Sequence, residues 1–450
     1  MADLGSERDG RSSRVKVEVT PRVCLHDVPT SINVSGLTPK KNVTLTLTTH
    51  NDSGHKFHTF AQYVSDESGR VDVEESEAVG GAYTGVFPAG LFSTLTEYPF
   101  KYTRLQKEDC TSPWKMTLLV HEGHLTLEES TVSNGIASAL LERHIMGPGV
   151  RRVPVTHERV RGTVFFPAGS GPHPAIVDIF GGFGGLKEYR ASMLASRGFA
   201  CLAIAYFNYD DLPKILTTMD LEYFEEAVEY LLKQPDVIPD RCGVLSSSKG
   251  GSFGLAMGIH LAKVTAVVSI GGMLVGDTST TYQGKELWKG VTLDATLYDL
   301  DEQNMITIKE NALKKKVTYD HPSMPPIETA PENTHFLLIS GEEDGMRSKV
   351  PLEAITHRMR LYGREGKCHT VVYSGAGHII EPPYNTFSGY SIYDLTGQKI
   401  IMIWGGEPQG VCKAQVDNWQ NMRKFLEMHV RDRSPWYEQY VGMASGKGKF

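Results

Sequence analysis

The chain has 450 residues, of which 40% are hydrophobic and 22% charged, an ordinary balance for a soluble globular protein. Its formal net charge of −7 argues against a nucleic-acid-binding protein, because such proteins usually present a basic face. No apolar run approaches the ~20 residues that span a bilayer, so we expect no transmembrane segment.

Three further features bear on the compartment. The N-terminal residues 1–10 are polar and include acids, which fits neither a secretory signal nor a transit peptide. The last residues, 446–450, do not form a peroxisomal address. The six cysteines are scattered without a close pair, which favours free thiols over a zinc site or a disulfide framework. The sequence therefore predicts a cytoplasmic protein.

The first third of the chain has the alternating apolar and polar residues of half-buried β-strands. The runs that begin at Val15 and Val43 show this alternation, and 114–120 is a further strand candidate. We expect 14–150 to form an antiparallel β-sandwich. A helix-like stretch at 140–144 is followed by the Gly-Pro-Gly sequence at 147–149, and we place the boundary between the two domains near residue 150.

From residue 151 onward, short apolar runs alternate with segments of helical spacing. Continuous apolar runs suit strands that are buried on both faces of a parallel sheet. These runs lie at 174–180, 199–205, 242–245, 266–270, 335–339 and 370–373. The helical patterns lie at 220–233, 350–362 and 416–430. The alternation predicts a doubly wound α/β domain over 151–432, followed by a polar tail at 433–450.

The most informative segment is 242–251, where a strand leads through three serines into a helix. This is the context of a nucleophile elbow, a strained turn that needs small residues two before and two after the nucleophile. Only Ser248 meets that condition, with Ser246 before it and Gly250 after it. The alternative is a Ser/Gly-rich loop whose serines cap the helix.

The partners of such a serine are an acid and then a histidine, each after a later strand. Asp344 follows the strand candidate at 335–339, with Glu342 and Glu343 as rivals, and a solvated acidic turn is the alternative. His378 follows a Gly-rich turn after the next strand. We predict a Ser248–His378–Asp344 triad.

An oxyanion hole also needs two backbone N–H donors. One is expected at Lys249, directly after the nucleophile, and the second at Gly182 or Phe183 in the glycine-rich loop 180–185. The spacing of these glycines fits neither common phosphate-binding motif. The segment 271–331 has little pattern and is either a pocket wall or a plain surface excursion.

At this point the chain resembles the type I acyl-CoA thioesterases and bile acid-CoA:amino acid N-acyltransferase, over about 17–430. The residues that carry the resemblance lie at 142–144, 147–155, 180–190, 205–213, 248–251, 377–384 and 405–408. The resemblance implies an N-terminal β-sandwich before an α/β-hydrolase domain, with nucleophile, acid and histidine at Ser248, Asp344 and His378. Ser246 stands where the family usually has glycine.

The two branches of this family differ at the nucleophile. The N-acyltransferase is similar but uses cysteine there, whereas the thioesterases use serine, so Ser248 favours hydrolysis. The resemblance implies a fatty acyl-CoA substrate and an acyl-serine intermediate. We expect no metal or redox cofactor, no nucleic-acid partner, and a monomer or weak oligomer. The alternatives are acyl transfer to glycine or taurine and a non-catalytic lipid-binding protein.

Overall fold

The structure is a computed structural model that describes residues 15–276, 278–291, 295–300, 302–303, 305–395 and 398–431. The predicted tail at 433–450 lies outside the described residues. Within them, no helix is long and apolar enough to cross a membrane. The described chain divides into two compact units, one formed by 15–24, 28–99 and 114–143, the other by 25–27, 100–113 and 144–431. The domain boundary near residue 150 stays a prediction.

The first unit is built from antiparallel strands, as the alternation predicts. Its strands are β1 (Lys16–Thr20), β2 (Val23–Leu25), β3 (Ser31–Ser35), β4 (Asn42–His50), β5 (Lys56–Val64), β6 (Val71–Asp72), β7 (Gly80–Gly81), β8 (Thr96–Glu97), β9 (Trp114–Glu122) and β10 (Ala137–His144). Strands β1, β3 and β6 form one sheet, and β10, β9, β4, β5 and β7 follow one another in a second. Two short helices, α1 (Gly90–Ser93) and α2 (Leu127–Val132), complete the unit.

Burial in this unit follows the two-residue period of strands. Val17 and Val19 of β1 are buried between exposed neighbours. The helix expected at 140–144 is wrong, because these residues lie in β10, where Leu141 and Arg143 are buried with their neighbours less so. Helical spacing and strand alternation cannot be separated over five residues, and pairing with β9 decides the outcome.

The second unit is an α/β domain around an eight-stranded sheet in the order β11-β12-β14-β13-β16-β17-β22-β23. These strands are β11 (Arg151–His157), β12 (Val160–Phe166), β13 (His173–Ile179), β14 (Ala200–Ala205), β16 (Val237–Ser247), β17 (Val264–Ile270), β22 (His335–Gly341) and β23 (Cys368–Tyr373). From β14 to β23 neighbouring strands are parallel, whereas β11 and β12 pair antiparallel at one edge. The six apolar runs predicted as strands all lie in the parallel part.

The helices of this unit are α3 (Tyr189–Ala195), α4 (Leu221–Leu232), α5 (Gly250–His260), α6 (Glu310–Lys316), α7 (Lys349–Leu361) and α8 (Pro408–Leu426). Helices α4 and α7 confirm two predicted helical patterns. Helix α8 begins eight residues earlier than predicted, with Pro408 in its first turn, where the missing N–H of proline costs nothing.

Seven further strands, absent from the sequence prediction, form two small sheets. They are β15 (Thr218–Asp220), β18 (Ser279–Tyr282), β19 (Lys285–Trp288), β20 (Tyr298–Leu300), β21 (Met305–Ile308), β24 (Tyr390–Leu395) and β25 (Gln398–Ile403), with β15 joining β18 and β19. The other sheet has the order β20-β21-β25-β24. The segment expected to be a wall or a surface excursion thus contains strands of both sheets. The fold class is confirmed as an α/β-hydrolase domain with an antiparallel β-sandwich before it.

Candidate active site

The serine at position 248 lies in a strained turn between β16 and α5. Its φ is +50°, in the left-handed region that a residue with a side chain rarely adopts. A nucleophile elbow is expected to hold a residue with a side chain in this strained backbone conformation. The carboxyl ends of parallel strands meet at one edge of a sheet, so this turn lies beside the loops that follow β13, β22 and β23.

Tight packing around the turn explains the need for small neighbours. A Cβ at Gly250 would lie 2.8 Å from the Phe180 carbonyl oxygen, so only glycine fits. Ser246, where a glycine is more usual, is fully buried, and its hydroxyl donates to the Val268 carbonyl at 3.1 Å. Gly254 of α5 leaves room for that hydroxyl, because a Cβ there would lie 2.6 Å from it.

The structure brings the three predicted side chains into one hydrogen-bonded chain. The Oγ of Ser248 lies 2.9 Å from Nε2 of His378. The Nδ1 of His378 lies 3.0 Å from Oδ2 of Asp344. Both His378 and Asp344 are buried. With the Nδ1 proton directed at the carboxylate, Nε2 is left to accept the proton of the serine hydroxyl.

Of the three candidate acids, only Asp344 reaches the histidine. Its carboxylate accepts hydrogen bonds from the Met346 N–H at 2.6 Å and from both the N–H and the hydroxyl of Ser348. Such donors fix the orientation of the carboxylate. Glu342 and Glu343 are exposed instead, and Glu342 lies 3.7 Å from the Lys349 ammonium.

The glycine-rich loop after β13 lies directly against Ser248. A Cβ at Gly181 would lie 2.8 Å from the Cβ of Ser248. Gly182, Phe183 and Lys249, the residues predicted to supply the oxyanion donors, all line the same cavity as Ser248. The structure therefore brings these backbone segments to the serine, and their role as donors stays a prediction.

Two side chains that the sequence analysis missed support this loop and the end of β13 from which it leaves. The hydroxyl of Tyr206, at the end of β14, donates to the carbonyl oxygens of Phe180 at 2.8 Å and of Gly181 at 3.2 Å. The guanidinium of Arg190 donates to the Ile179 carbonyl at 3.2 Å and forms an ion pair with Asp178. Burial raises the pKa of Asp178 despite this partner. The family resemblance already included 180–190 and 205–213, but a sequence motif does not specify which side chain contacts the loop.

Trp404 is a further residue that the sequence analysis missed. Its ring stacks on the imidazole of His378, with centroids 5.4 Å apart and planes 18° from parallel. Its carbonyl accepts the His378 N–H at 2.8 Å. Both contacts restrict the rotation of the imidazole, so Trp404 helps to hold Nε2 towards Ser248.

A cavity of about 390 Å³ opens at the triad. Most of its lining side chains are apolar. They come from the small sheet and the residue after it, the acid loop, the segment after His378 and the segment after β17: Met273, Tyr298, Leu300, Ile306, Met346, Ile379, Ile380, Ile400, Met402 and Trp404. The segment 271–331 thus supplies part of a pocket wall. An apolar cavity with a few convergent polar groups is the usual form of a small-molecule site.

One wall of the cavity carries charge that is already balanced. Arg104 lies 2.8 Å from Oε1 of Glu381, whose other oxygen accepts the Tyr189 hydroxyl at 2.5 Å. Burial raises the pKa of Tyr189 well above its ordinary value, so it stays a donor. Within the described residues, no cluster of three or more potential metal ligands is present.

Comparison with known proteins matches both halves of the chain to one family. Residues 27–157 match the acyl-CoA thioester hydrolase/BAAT N-terminal region, and 219–432 match the BAAT/acyl-CoA thioester hydrolase C-terminal region. The chain is 39% identical to mouse acyl-coenzyme A thioesterase 2, mitochondrial, over 94% of this chain and 91% of that protein. It is 38% identical to human acyl-coenzyme A thioesterase 1, over 90% and 94% respectively. It is also 38% identical to rat acyl-coenzyme A amino acid N-acyltransferase 2, over 91% and 97%.

These matches extend over nearly the whole length of both proteins in each pair and include both halves of the architecture. The chain belongs to the acyl-CoA thioester hydrolase/BAAT family.

Proposed function

We propose that this protein is an acyl-CoA thioesterase, which hydrolyses a fatty acyl-CoA to the free acid and CoA through an acyl-serine intermediate. The observation that carries the proposal is the hydrogen-bonded chain from Ser248 through His378 to Asp344 at the mouth of an apolar cavity. The thioesterases at 38–39% identity support the substrate class.

In the first half of the reaction, Ser248 attacks the thioester carbonyl while Nε2 of His378 takes its proton. Asp344 stabilises the imidazolium that forms, because its carboxylate lies 3.0 Å from Nδ1. The backbone N–H groups of Lys249 and of Gly182 or Phe183 are assigned to the developing oxyanion. A donor of this kind contributes ~3–4 kcal/mol to lowering the barrier. CoA leaves as the thiol after protonation by His378.

In the second half, water takes the place of the thiol. His378 accepts a proton from water, the hydroxide attacks the acyl-serine ester, and Ser248 recovers its proton as the fatty acid leaves. The acyl chain is assigned to the apolar wall formed by residues such as Ile306 and Met402, because burying each CH₂ stabilises the complex by ~0.8 kcal/mol. All of these steps use groups of this chain, the substrate and water.

The direct test is Ser248→Ala. We expect the hydrolysis of dodecanoyl-CoA, followed by release of free thiol, to fall by at least about a thousandfold in a variant that stays folded. Labelling of the wild-type protein by a fluorophosphonate, and its loss in the variant, gives a second readout. A folded Ser248→Ala variant that keeps near wild-type hydrolysis contradicts the proposal, and a wild-type protein without label points to a non-catalytic lipid-binding protein.

Acyl transfer to glycine or taurine is the second candidate, and the 38% identity to rat acyl-coenzyme A amino acid N-acyltransferase 2 favours its inclusion. A serine at the nucleophile position argues for water as the acceptor. Product analysis with glycine and taurine present separates the two functions. Free acid in large excess supports hydrolysis, whereas conjugate in excess supports transfer.

The compartment that we propose is the cytoplasm, with a monomer or weak oligomer as the assembly. In its support, all six cysteines are free thiols, and five of them are buried, as suits a reducing compartment. The name of the mouse relative gives the mitochondrion as the alternative. Fractionation of cells that produce the untagged protein distinguishes the two, and light scattering gives the assembly.

A further inference from the structure

A second cavity lies behind the wall of the catalytic cavity. Tyr298, Leu300 and Ile306 line the catalytic cavity, whereas Asp299 and Thr307 line the second one. Successive side chains of a strand point to opposite faces. The two cavities are therefore separated by the strand pair β20 and β21. The second has a volume of about 650 Å³.

The second cavity carries an excess of positive charge, and we call it the basic pocket. Its charged lining residues are Lys309, Lys315, Lys316, Arg347, Asp299 and Glu310. Both carboxylates already have cations beside them, since Asp299 lies 3.7 Å from Lys309, and Glu310 lies 2.5 Å from Lys314 outside the pocket. Four cations against two carboxylates leave the pocket attractive to an anion.

Helix stability accounts for part of this charge, because lysines in the last turn of α6 interact favourably with the helix dipole. It does not account for Arg347, which comes from the segment after Asp344. The φ of Arg347 is +57°, and its Nε donates to the Ile308 carbonyl at 3.2 Å. A strained backbone at a charged residue is typical of a functional site.

The basic pocket is close in the chain to the triad. Arg347 follows Met346, which lines the catalytic cavity, and its N–H donates to the Asp344 carbonyl at 3.0 Å. A thioester with its carbonyl at Ser248 must extend its leaving group out of the catalytic cavity. In CoA that leaving group is a flexible pantetheine arm that ends in a phosphorylated ADP.

We propose that the basic pocket binds the phosphate groups of the CoA leaving group, an inference that rests on the proposed function. Lys315 and Arg347 supply charge from two separate segments. The ammonium and guanidinium groups match phosphate as charged donors.

The test compares Lys315→Glu with a matched charge reversal at Lys233, another exposed helix-end lysine, which lies at the C-terminus of α4. Each variant is assayed with dodecanoyl-CoA, with dodecanoyl-3′-dephospho-CoA and with dodecanoyl-N-acetylcysteamine, a thioester without phosphate. We expect Lys315→Glu to raise the KM for dodecanoyl-CoA by about fivefold or more, with kcat kept, because unit charges near 4 Å in water change affinity by about that factor. The effect should be smaller without the 3′-phosphate and absent for the N-acetylcysteamine thioester.

Equal KM values for dodecanoyl-CoA in Lys315→Glu and Lys233→Glu overturn the assignment of the pocket. A rise in KM that is the same for all three substrates also overturns it, since the substitution then acts through something other than phosphate. Calorimetric titration of CoA into Ser248→Ala protein, with and without Lys315→Glu, keeps the two proposals distinguishable. If CoA binding depends on Lys315 but the wild-type protein hydrolyses no acyl-CoA, the proposed function alone is refuted.

Discussion

The hydroxyl of Tyr206 is predicted to matter for the rate of reaction although it does not line the catalytic cavity. It donates to the carbonyl oxygens of Phe180 and Gly181, the first two residues of the loop assigned to the oxyanion. The ring itself packs against aromatic neighbours, with centroids 5.0 Å from Phe207 and 5.5 Å from Phe253. Tyr206→Phe therefore removes one oxygen and leaves the packing in place.

The expected size of the effect follows from these contacts. Losing a shared hydrogen bond to two carbonyls, one of them buried, lowers the free energy of unfolding by about 1–2 kcal/mol. A misplaced oxyanion donor loses part of the ~3–4 kcal/mol that such a group contributes. We expect kcat for dodecanoyl-CoA to fall by about tenfold in Tyr206→Phe, with KM little changed, because the loop contributes more to the transition state than to substrate binding.

Tyr223→Phe is the matched control. The Tyr223 hydroxyl is also buried and has two backbone partners, since it donates to the Ala205 carbonyl and accepts from the Arg161 N–H at 3.2 Å, but it does not contact the loop at 180–185. Both variants should lose similar stability by chemical denaturation, and only Tyr206→Phe should lose kcat. If kcat is unchanged in Tyr206→Phe, or falls equally in both variants, the positioning role of this hydroxyl is refuted.

Two further outcomes are expected. Ile306→Trp, which fills part of the catalytic cavity, should lower kcat/KM for hexadecanoyl-CoA by at least about tenfold relative to hexanoyl-CoA. Ile392→Trp, on strand β24 of the same small sheet, should not. Equal chain-length profiles in the two variants would contradict the assigned acyl wall. Burial lowers the pKa of His335 to about 4 and that of His429 to about 3. Both are neutral in the folded protein and protonate near their ordinary pKa of 6.5 when unfolded, so the free energy of unfolding should fall as pH drops from about 6.5 towards 4. Chemical denaturation of His429→Phe across this range should show a shallower fall. An unchanged dependence of stability on pH would refute the role of these two histidines.

Most of the large sheet was predictable because buried parallel strands have a strong local signature. Runs such as 174–180 and 266–270 are apolar on both faces, and no other element of that length fits them between helical patterns. The strand at 140–144 and the short strands β18 to β21 were not predicted, for the opposite reason. They are mixed in polarity, so pairing with other strands decides their structure and the local pattern does not.

The meeting of Ser248, His378 and Asp344 was predictable because the first and the last of them are held by local backbone structure. Ser248 is held by a turn that needs Gly250, and Asp344 accepts hydrogen bonds from residues only two and four positions later. Chain order then gives the pairing, since the carboxyl ends of parallel strands share one edge. The rivals Glu342 and Glu343 could not be separated from Asp344 without knowing which of the three is turned inward.

The walls of the cavity have no comparable local signature. Tyr298, Ile306 and Met402 come from three short strands separated by up to about a hundred residues, and each is an ordinary apolar residue in its own segment. Only the pairing of β21 with β25 brings Ile306 beside Met402. The chemistry of the site therefore depends on rigid turns at the ends of strands, whereas the shape that receives the acyl chain depends on a small sheet assembled from distant segments. Substitutions in that small sheet should consequently change which acyl chain is accepted while leaving the alignment of Ser248 and His378 intact.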